Sequence, residues 1–338
     1  MHESSPADSP VRQLRRLTHL LLNQAPQYDL REVAELAGVD LEETINLWRS
    51  LGHATPELSE AMFTDSDIEA LRISAGLHDA GVRLELPLAR ALGLSMARMA
   101  EWQADLLWEL SIASNDSAPL SVGGSSGEVT DRSLEVTFAV LLPTWERLQQ
   151  HVWRRHLLAA IGRRVTHPEP AAATNTTVIG FADIAEFTSN SRGLTEARLA
   201  AYIEDFETAA SLVVTDRGGR VIKTIGDEVM FAVDDPRTAA DIALTLAQRL
   251  SDLDGRAELH VGLAYGPVLR RLGDYYGTVV NLASRLTALA RPGTVLVDRA
   301  MADALADHPE VHIRQLRSLA LRGFPSVEPW LLRSAHRA

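Results

Sequence analysis

The chain has 338 residues, of which 46% are hydrophobic and 23% charged, and it carries a formal net charge of −12. This length predicts two domains with a hydrophobic core each, the composition excludes disorder throughout and fibrous architectures, and the lack of cysteine excludes disulfides and thiolate metal sites. The acidic balance argues against nucleic acid as a partner, and we expect a cytoplasmic protein because residues 1–10 are unlike a signal peptide and no stretch reaches the ~18 apolar residues of a membrane span.

Residues 1–150 are predicted to form an all-α domain. Apolar residues recur there at helical spacing in segments that end at or near glycines. The segments are 11–22, 30–37, 41–51, 66–80 and 86–112. A polar loop at 114–131 precedes one or two further helices over 133–165, which we expect to break at Pro143. Residues 151–175 are interpreted as a switch helix followed by a linker rich in Pro and Ala.

Residues 176–338 change to a pattern of strands and helices. Strands are predicted at 177–181, 220–225, 228–233, 258–264, 294–297, 311–315 and 330–332, and helices at 194–215, 236–253 and 278–290. Gly226-Asp227, between two of these strands, is a two-residue hairpin signal. We therefore expect an α+β domain with an antiparallel hairpin and with its helices on one face of the sheet.

Charged side chains mark the ends of the predicted strands. Asp183 follows the first strand, and Asp227 lies at the tip of the hairpin. Carboxylates in such places can hold Mg²⁺, which prefers one or two carboxylates together with phosphate oxygens of a substrate. Lys223 is the only lysine in the chain and lies ~13 Å before Asp227 along the strand.

Three further polar residues lie near the predicted helix 278–290. Asp274 is expected in the loop that leads to this helix. Asn281 and Arg285 are four positions apart on the helix, so their side chains point the same way. Taken singly, each of these residues is typical of a protein surface. Their order and spacing relative to the charged residues at the strand ends are what point to a function.

Together these six residues resemble the catalytic domain of class III adenylyl cyclases, over about 176–332. The matching segments are residues 181–184, 223–227, 274 and 281–285. The resemblance implies a ferredoxin-like palm that converts ATP to 3′,5′-cyclic AMP and pyrophosphate. It also implies that Asp183 and Asp227 bind two Mg²⁺ or Mn²⁺ ions in each active site.

The resemblance implies a role for each remaining residue. Lys223 and Asp274 would read the adenine base. Asn281 would orient the ribose, and Arg285 would offset charge on the transferring phosphate. Arg322 falls near a position where the family often has a cation for the terminal phosphates.

In the family, the metal-binding aspartates of one subunit meet the base-reading and transition-state residues of another. The resemblance therefore implies a head-to-tail homodimer with two equivalent sites and an inactive monomer.

The N-terminal half carries two further resemblances. Residues 31–39 and 48–52 resemble a MerR-like helix-turn-helix, but residues 1–75 hold more than twice as many acidic as basic side chains, which argues against DNA binding. With the histidines at its end, this half is similar to the regulatory domain of soluble actinobacterial cyclases, some of which respond to pH. His151 and His156 are therefore candidate pH-sensing residues, because imidazole titrates near pH ~6.5, or else ordinary surface histidines.

Two other functions remain open from the sequence. Gly226-Asp227-Glu228 on a hairpin also fits a GGDEF-type diguanylate cyclase, although the doubled glycine of that motif is missing. The second alternative is a catalytically silent cyclase-like module that acts as a sensor or binds a partner. The regulatory signal, pH or a small ligand, is not determined by the sequence.

Overall fold

The structure is a computed structural model that describes residues 17–22, 24–55, 57, 61–79, 81, 85–113, 131–166, 175–185, 193–249, 258–321 and 324–335. The chain divides into two units, Met1–Thr166 and His167–Ala338. Within these described ranges, no helix is both long enough and apolar enough to cross a membrane.

The described part of the first unit is helical. Residues 17–22 are helical, and the longer helices are α1 (Leu30–Ala37), α2 (Leu41–Ser50), α3 (Asp65–Asp79), α4 (Leu86–Ala113) and α5 (Asp131–Thr166). A capping box joins Asp29 and Glu32 at the start of α1, and Gly38 ends this helix with a φ of 72°. Leu30 and Phe63 belong to a small buried cluster against which α2 packs.

The last helix of this unit, α5, continues through Pro143, which contradicts the expected break. A proline removes one backbone donor and bends a helix, but a helix of 36 residues keeps enough bonds on either side to continue. Helix α4 packs against α5 through an edge-to-face contact of Trp102 and Trp145, whose ring centroids are 5.4 Å apart.

The second unit is built around a mixed sheet. Its strands are β1 (Asn175–Ile184), β2 (Arg220–Ile225), β3 (Glu228–Val233), β4 (Leu259–Arg271), β5 (Asp274–Tyr276), β6 (Thr294–Val297), β7 (Val311–Gln315), β8 (Leu319–Leu321), β9 (Phe324–Val327) and β10 (Trp330–Ser334). Its helices are α6 (Glu196–Asp216), α7 (Pro236–Arg249), α8 (Thr278–Leu289) and α9 (Arg299–Ala304).

The strand order confirms the predicted ferredoxin-like palm. The order is β2-β3-β1-β4-β6-β10-β7, with β5 paired to β4, and β8 and β9 form a separate hairpin. β1 is antiparallel to both β3 and β4, whereas β4 and β6 are parallel. The first part of the second unit therefore forms two interleaved βαβ units, β1-α6-β2 and β3-α7-β4, as in ferredoxin-like folds.

Both faces of this sheet are covered, so the expectation of helices on one face is wrong. Helices α6 and α7 pack on one face in a core that includes Val178 and Phe206. Helix α8 packs on the other face, where Ile179 and Ala283 share a second core. Neighbouring residues of β1 point to opposite faces, and a strand that is apolar at both parities is buried on both sides.

Helix α8 lies unusually close to the sheet. A Cβ atom at Gly262 of β4 would overlap backbone atoms of Ala283 and Thr287. The buried Thr287 donates a hydrogen bond from Oγ1 to the carbonyl oxygen of Phe181, at 3.3 Å. The missing side chain at Gly262 therefore sets the depth of α8, which carries Asn281 and Arg285.

Candidate active site

Asp183 and Asp227 lie together at one end of the sheet. Asp183, near the end of β1, pairs in register with Glu228, and Glu228 directly follows the turn that contains Asp227. The backbone N–H of Ile184 donates to the carbonyl oxygen of Asp227 at 3.2 Å. Burial and the Asp227 carboxylate raise the pKa of Asp183 to about 6, although the His260 imidazole acts in the opposite direction.

This group of carboxylates fits a divalent cation. Burial and the charges of Asp183 and Asp227 raise the pKa of Glu228 to about 7. Neighbouring carboxylates that disfavour each other's ionisation are stabilised when a cation binds between them. Among the described residues, no cluster of three or more His, Asp or Glu side chains could hold a metal by itself. Oxygen atoms of a bound phosphate would therefore have to complete the coordination, as is usual for Mg²⁺.

Lys223 and Asp274 form a second pair. Lys223 Nζ donates to Asp274 Oδ2 at 2.7 Å, and the two side chains are 35% and 29% exposed. The backbone N–H of Tyr275 donates to Asp274 Oδ1 at 2.8 Å. The structure thus brings together two residues that are 51 positions apart in the sequence.

Asp274 is not in a loop, as the sequence suggested, but begins strand β5. β4 and β5 are joined by Leu272 and Gly273, whose φ angles are 52° and 85°. Two consecutive positive φ angles are typical of the two-residue turn that suits a β-hairpin. The hairpin brings Asp274 to Lys223.

Asn281 and Arg285 share the outer side of α8. The buried side of this helix consists of Val279, Ala283, Leu286 and Thr287. Asn281 and Arg285 are exposed, and they point away from the sheet that carries Asp183 and Asp227. Their own sheet is therefore not the surface that these two side chains face.

The remaining candidates lie elsewhere. His151 and His156 are exposed on α5, in the first unit. Arg322 lies outside the described residues. Sequence reasoning missed Glu228, whose position opposite Asp183 is a matter of strand register. A charged residue at the start of an otherwise apolar strand was the available signal.

Comparisons with known proteins bear on the whole chain. Residues 169–334 match the family described as the adenylate and guanylate cyclase catalytic domain. An adenylate cyclase from Streptomyces coelicolor is 36% identical, over 97% of this chain and 91% of that protein. An adenylate cyclase from Streptomyces griseus is 38% identical, over 91% and 75% respectively. A pH-sensitive adenylate cyclase from Mycobacterium tuberculosis is 28% identical, over 86% and 73%.

The similarity between this chain and these relatives thus extends well beyond the catalytic half. The family resemblance drawn from six residues is confirmed, and the chain belongs to the family of adenylate and guanylate cyclase catalytic domains.

Proposed function

We propose that this protein converts ATP to 3′,5′-cyclic AMP and pyrophosphate, in the cytoplasm, at two sites shared by two copies of the chain. The observation that carries the proposal is the arrangement of the six candidate residues in three pairs. A carboxylate pair suits metal-bound phosphates, a lysine–carboxylate pair suits a base edge, and an outward helix face presents an amide and a guanidinium. The relatives named as adenylate cyclases support the choice of ATP.

Asp183 and Asp227 would hold two divalent cations, Mg²⁺ or Mn²⁺. When bound, such ions lower the pKa of the ribose 3′-hydroxyl and neutralise the triphosphate. The two aspartates would contribute adjacent, ionised carboxylates. The register of β1 with β3 keeps them adjacent.

Lys223 and Asp274 would select adenine. The ammonium donates to a ring nitrogen, and the carboxylate accepts from the exocyclic amine. Guanine presents a ring N–H to the lysine and a carbonyl oxygen to the aspartate, so both contacts would be mispaired and costly. Arginine would not replace the lysine, because a planar fork is too wide for a single ring nitrogen.

The remaining groups would act on the sugar and the phosphate. The 3′-hydroxyl gives up its proton to water as its oxygen attacks the α-phosphorus in line, the bond to the bridging oxygen breaks, and pyrophosphate leaves. Asn281 orients the ribose for this attack, and Arg285 stabilises the charge that develops on the transferring phosphate. Arg322 would bind the terminal phosphates.

The directions in which these side chains point support the use of two copies. Asn281 and Arg285 face away from their own sheet, so a second copy supplies the aspartates opposite them. Large apolar side chains are also exposed in this unit: Ile225 beside the β2–β3 turn is 54% exposed, and Leu269 and Leu272 on the β4–β5 hairpin are 61% and 49% exposed. Such side chains are typical of surfaces that another chain covers.

The helical first unit would regulate this activity, through pH or a small ligand. His151 and His156 flank Arg154 and Arg155 on α5, and all four side chains are exposed. Protonated imidazoles would repel the two arginines, which favours a different placement of α5. Helix α4, which packs on α5, carries Arg98, Glu101, Asp105 and Glu109. The likeness to a pH-sensitive relative supports this proposal.

The test is product analysis with purified full-length protein. ATP or GTP is supplied with Mg²⁺ or Mn²⁺, and the products are separated by chromatography. We expect cyclic AMP from ATP, loss of activity in Asp183→Asn, and weaker use of ATP in Lys223→Glu combined with Asp274→Ser. Cyclic GMP as the main product, a diguanylate product, or full activity of Asp183→Asn would contradict the proposal.

A further inference from the structure

A second contact joins β2 to β5 beside the Lys223–Asp274 pair. Arg220, the first residue of β2, donates from Nη2 to the Tyr275 hydroxyl at 3.2 Å. The same guanidinium forms two hydrogen bonds with Asp234, at 2.7 and 2.8 Å. The Arg220 side chain is 15% exposed, Asp234 is 60% exposed and Tyr275 is 4% exposed. The bidentate pairing with Asp234 fixes the direction of the largely buried guanidinium.

A β-bulge brings Arg220 and Lys223 to the same face of the sheet. In a regular strand, residues three positions apart point to opposite faces. Here Arg220 pairs with Ala232 and Lys223 pairs with Met230, so β2 contains one residue more than β3 over this stretch. Ala232 and Met230 both belong to the core on the α8 side. Both cations therefore face β5, and the bulge redirects Lys223, as bulges near active sites often do.

The Asp274 carboxylate is hydrogen-bonded both to Lys223 and to the backbone of Tyr275, the residue that Arg220 contacts. Its Oδ1 atom accepts from the Tyr275 backbone N–H at 2.8 Å, and its Oδ2 atom accepts from Lys223 at 2.7 Å. The Tyr275 side chain is buried in the α8-side core, and Arg220 holds its hydroxyl. The direction of the carboxylate thus depends on how firmly Tyr275 is held.

We propose that Arg220 and Tyr275 are positioning residues for base selection. They hold β5 against β2, so that Asp274 faces Lys223 at the spacing that accepts adenine. The inference rests on the base-reading role of Lys223 and Asp274 in the proposed function. In this role Arg220 and Tyr275 act through Asp274 rather than on the nucleotide, so loosening them should affect discrimination between ATP and GTP more than it affects turnover.

The test compares two adjacent tyrosines of β5. Tyr275→Phe removes only the hydroxyl that Arg220 contacts, whereas Tyr276→Phe removes a hydroxyl from a side chain that is 50% exposed. A third variant, Arg220→Lys, keeps the charge but loses the fork that reaches Asp234 and Tyr275 together. For each full-length variant, kcat and KM are measured with ATP and GTP. Equilibrium binding of 3′-deoxy-ATP and 3′-deoxy-GTP, which cannot cyclise, gives a readout independent of turnover.

We expect Tyr275→Phe to weaken 3′-deoxy-ATP binding roughly three- to tenfold, because the lost hydrogen bond loosens Tyr275 and part of its contribution is felt at Asp274. The ratio of ATP to GTP binding falls, kcat changes less than KM, Arg220→Lys follows the same direction, and Tyr276→Phe matches the parent protein. The inference is overturned if Tyr275→Phe keeps the parent ratio while Asp274→Ala loses it. If Asp274→Ala itself keeps the preference for ATP, the base-reading role in the proposed function is wrong, and this inference fails with it.

Discussion

Two inactive variants, Asp227→Ala and Arg285→Ala, are expected to restore activity when they are mixed. Asp227 lies with Asp183 at the end of the sheet, whereas Arg285 faces outward from α8. If each site takes its aspartates from one copy and its arginine from the other, each variant alone has two defective sites. A mixed dimer places both lesions in one site and leaves the other site intact.

The size of the recovery follows from this geometry. Random exchange of equal amounts makes half of the dimers mixed, and each mixed dimer has one intact site of two, so activity should reach about one quarter of the parent value. An excess of either variant over the other should lower the recovered activity, because fewer mixed dimers form.

The assay measures cyclic AMP after the subunits have exchanged, with different affinity tags on the two variants to show that mixed dimers are present. A matched control mixes Asp227→Ala with Asp183→Ala. These lesions affect the same half of the site, so no mixed dimer has an intact site and activity should stay at background. Absence of recovery in the first mixture, despite demonstrated exchange, would refute the shared-site reasoning.

Further predictions concern packing, buried charge and regulation. Gly262→Ala should displace α8, sharply lower activity and reduce the free energy of unfolding by about 1–3 kcal/mol or more. The control is Gly76→Ala, whose added Cβ meets no atom within 4 Å and should leave activity unchanged. Burial raises the pKa of Asp298 to about 6, so its contribution to stability is largest at low pH and is lost as the pH rises through that value. Compared with Asp298→Asn, the parent protein should therefore gain roughly 1 kcal/mol between about pH 7 and about pH 5, measured by chemical unfolding; no difference would contradict the assignment. Replacing His151 and His156 together by Ala should flatten a rise of cyclase activity on acidification, and an unchanged pH profile would place the switch elsewhere.

The paired aspartates and the hairpin can be predicted from local rules. An apolar strand ends near Asp183, and Gly226-Asp227 is a strong two-residue turn signal. The structure has this turn between β2 and β3, with a φ of 64° at Gly226. The strand end at Asp183 and the turn at Asp227 are each set by immediate neighbours in sequence, whereas the meeting of the two residues depends on the register of β1 with β3.

Strand β5 cannot be predicted in the same way. Its turn begins with Leu272 at a positive φ, a conformation that the residue type disfavours, so Leu272-Gly273 is not one of the usual two-residue turn signals. Gly266 and Pro267 also interrupt the alternation of β4, which nevertheless continues to Arg271. The pairing of Asp274 with Lys223 therefore depends on a hairpin that only tertiary contacts stabilise.

On the α8 side of the sheet, one feature can be read from the sequence and another cannot. The apolar residues Val178 and Ile179 are adjacent in β1 and lie in separate cores, which is a readable sign of burial on both faces. The bulge in β2 has no such sign. It depends on which residues of β3 oppose Arg220 and Lys223, and strand register is a property of the pair rather than of either segment.

The close packing at Gly262 restricts how the enzyme can move. Helix α8 touches β4 through backbone atoms, with no side chain between them to change rotamer, so it cannot slide or roll along the sheet without a clash. In the proposed dimer, the distance from Arg285 to a bound triphosphate would then be adjusted by rotating one copy of the domain against the other. Opening and closing of the site would be a rigid-body motion between the two copies, and a signal that changes how they meet would control catalysis without deforming either domain.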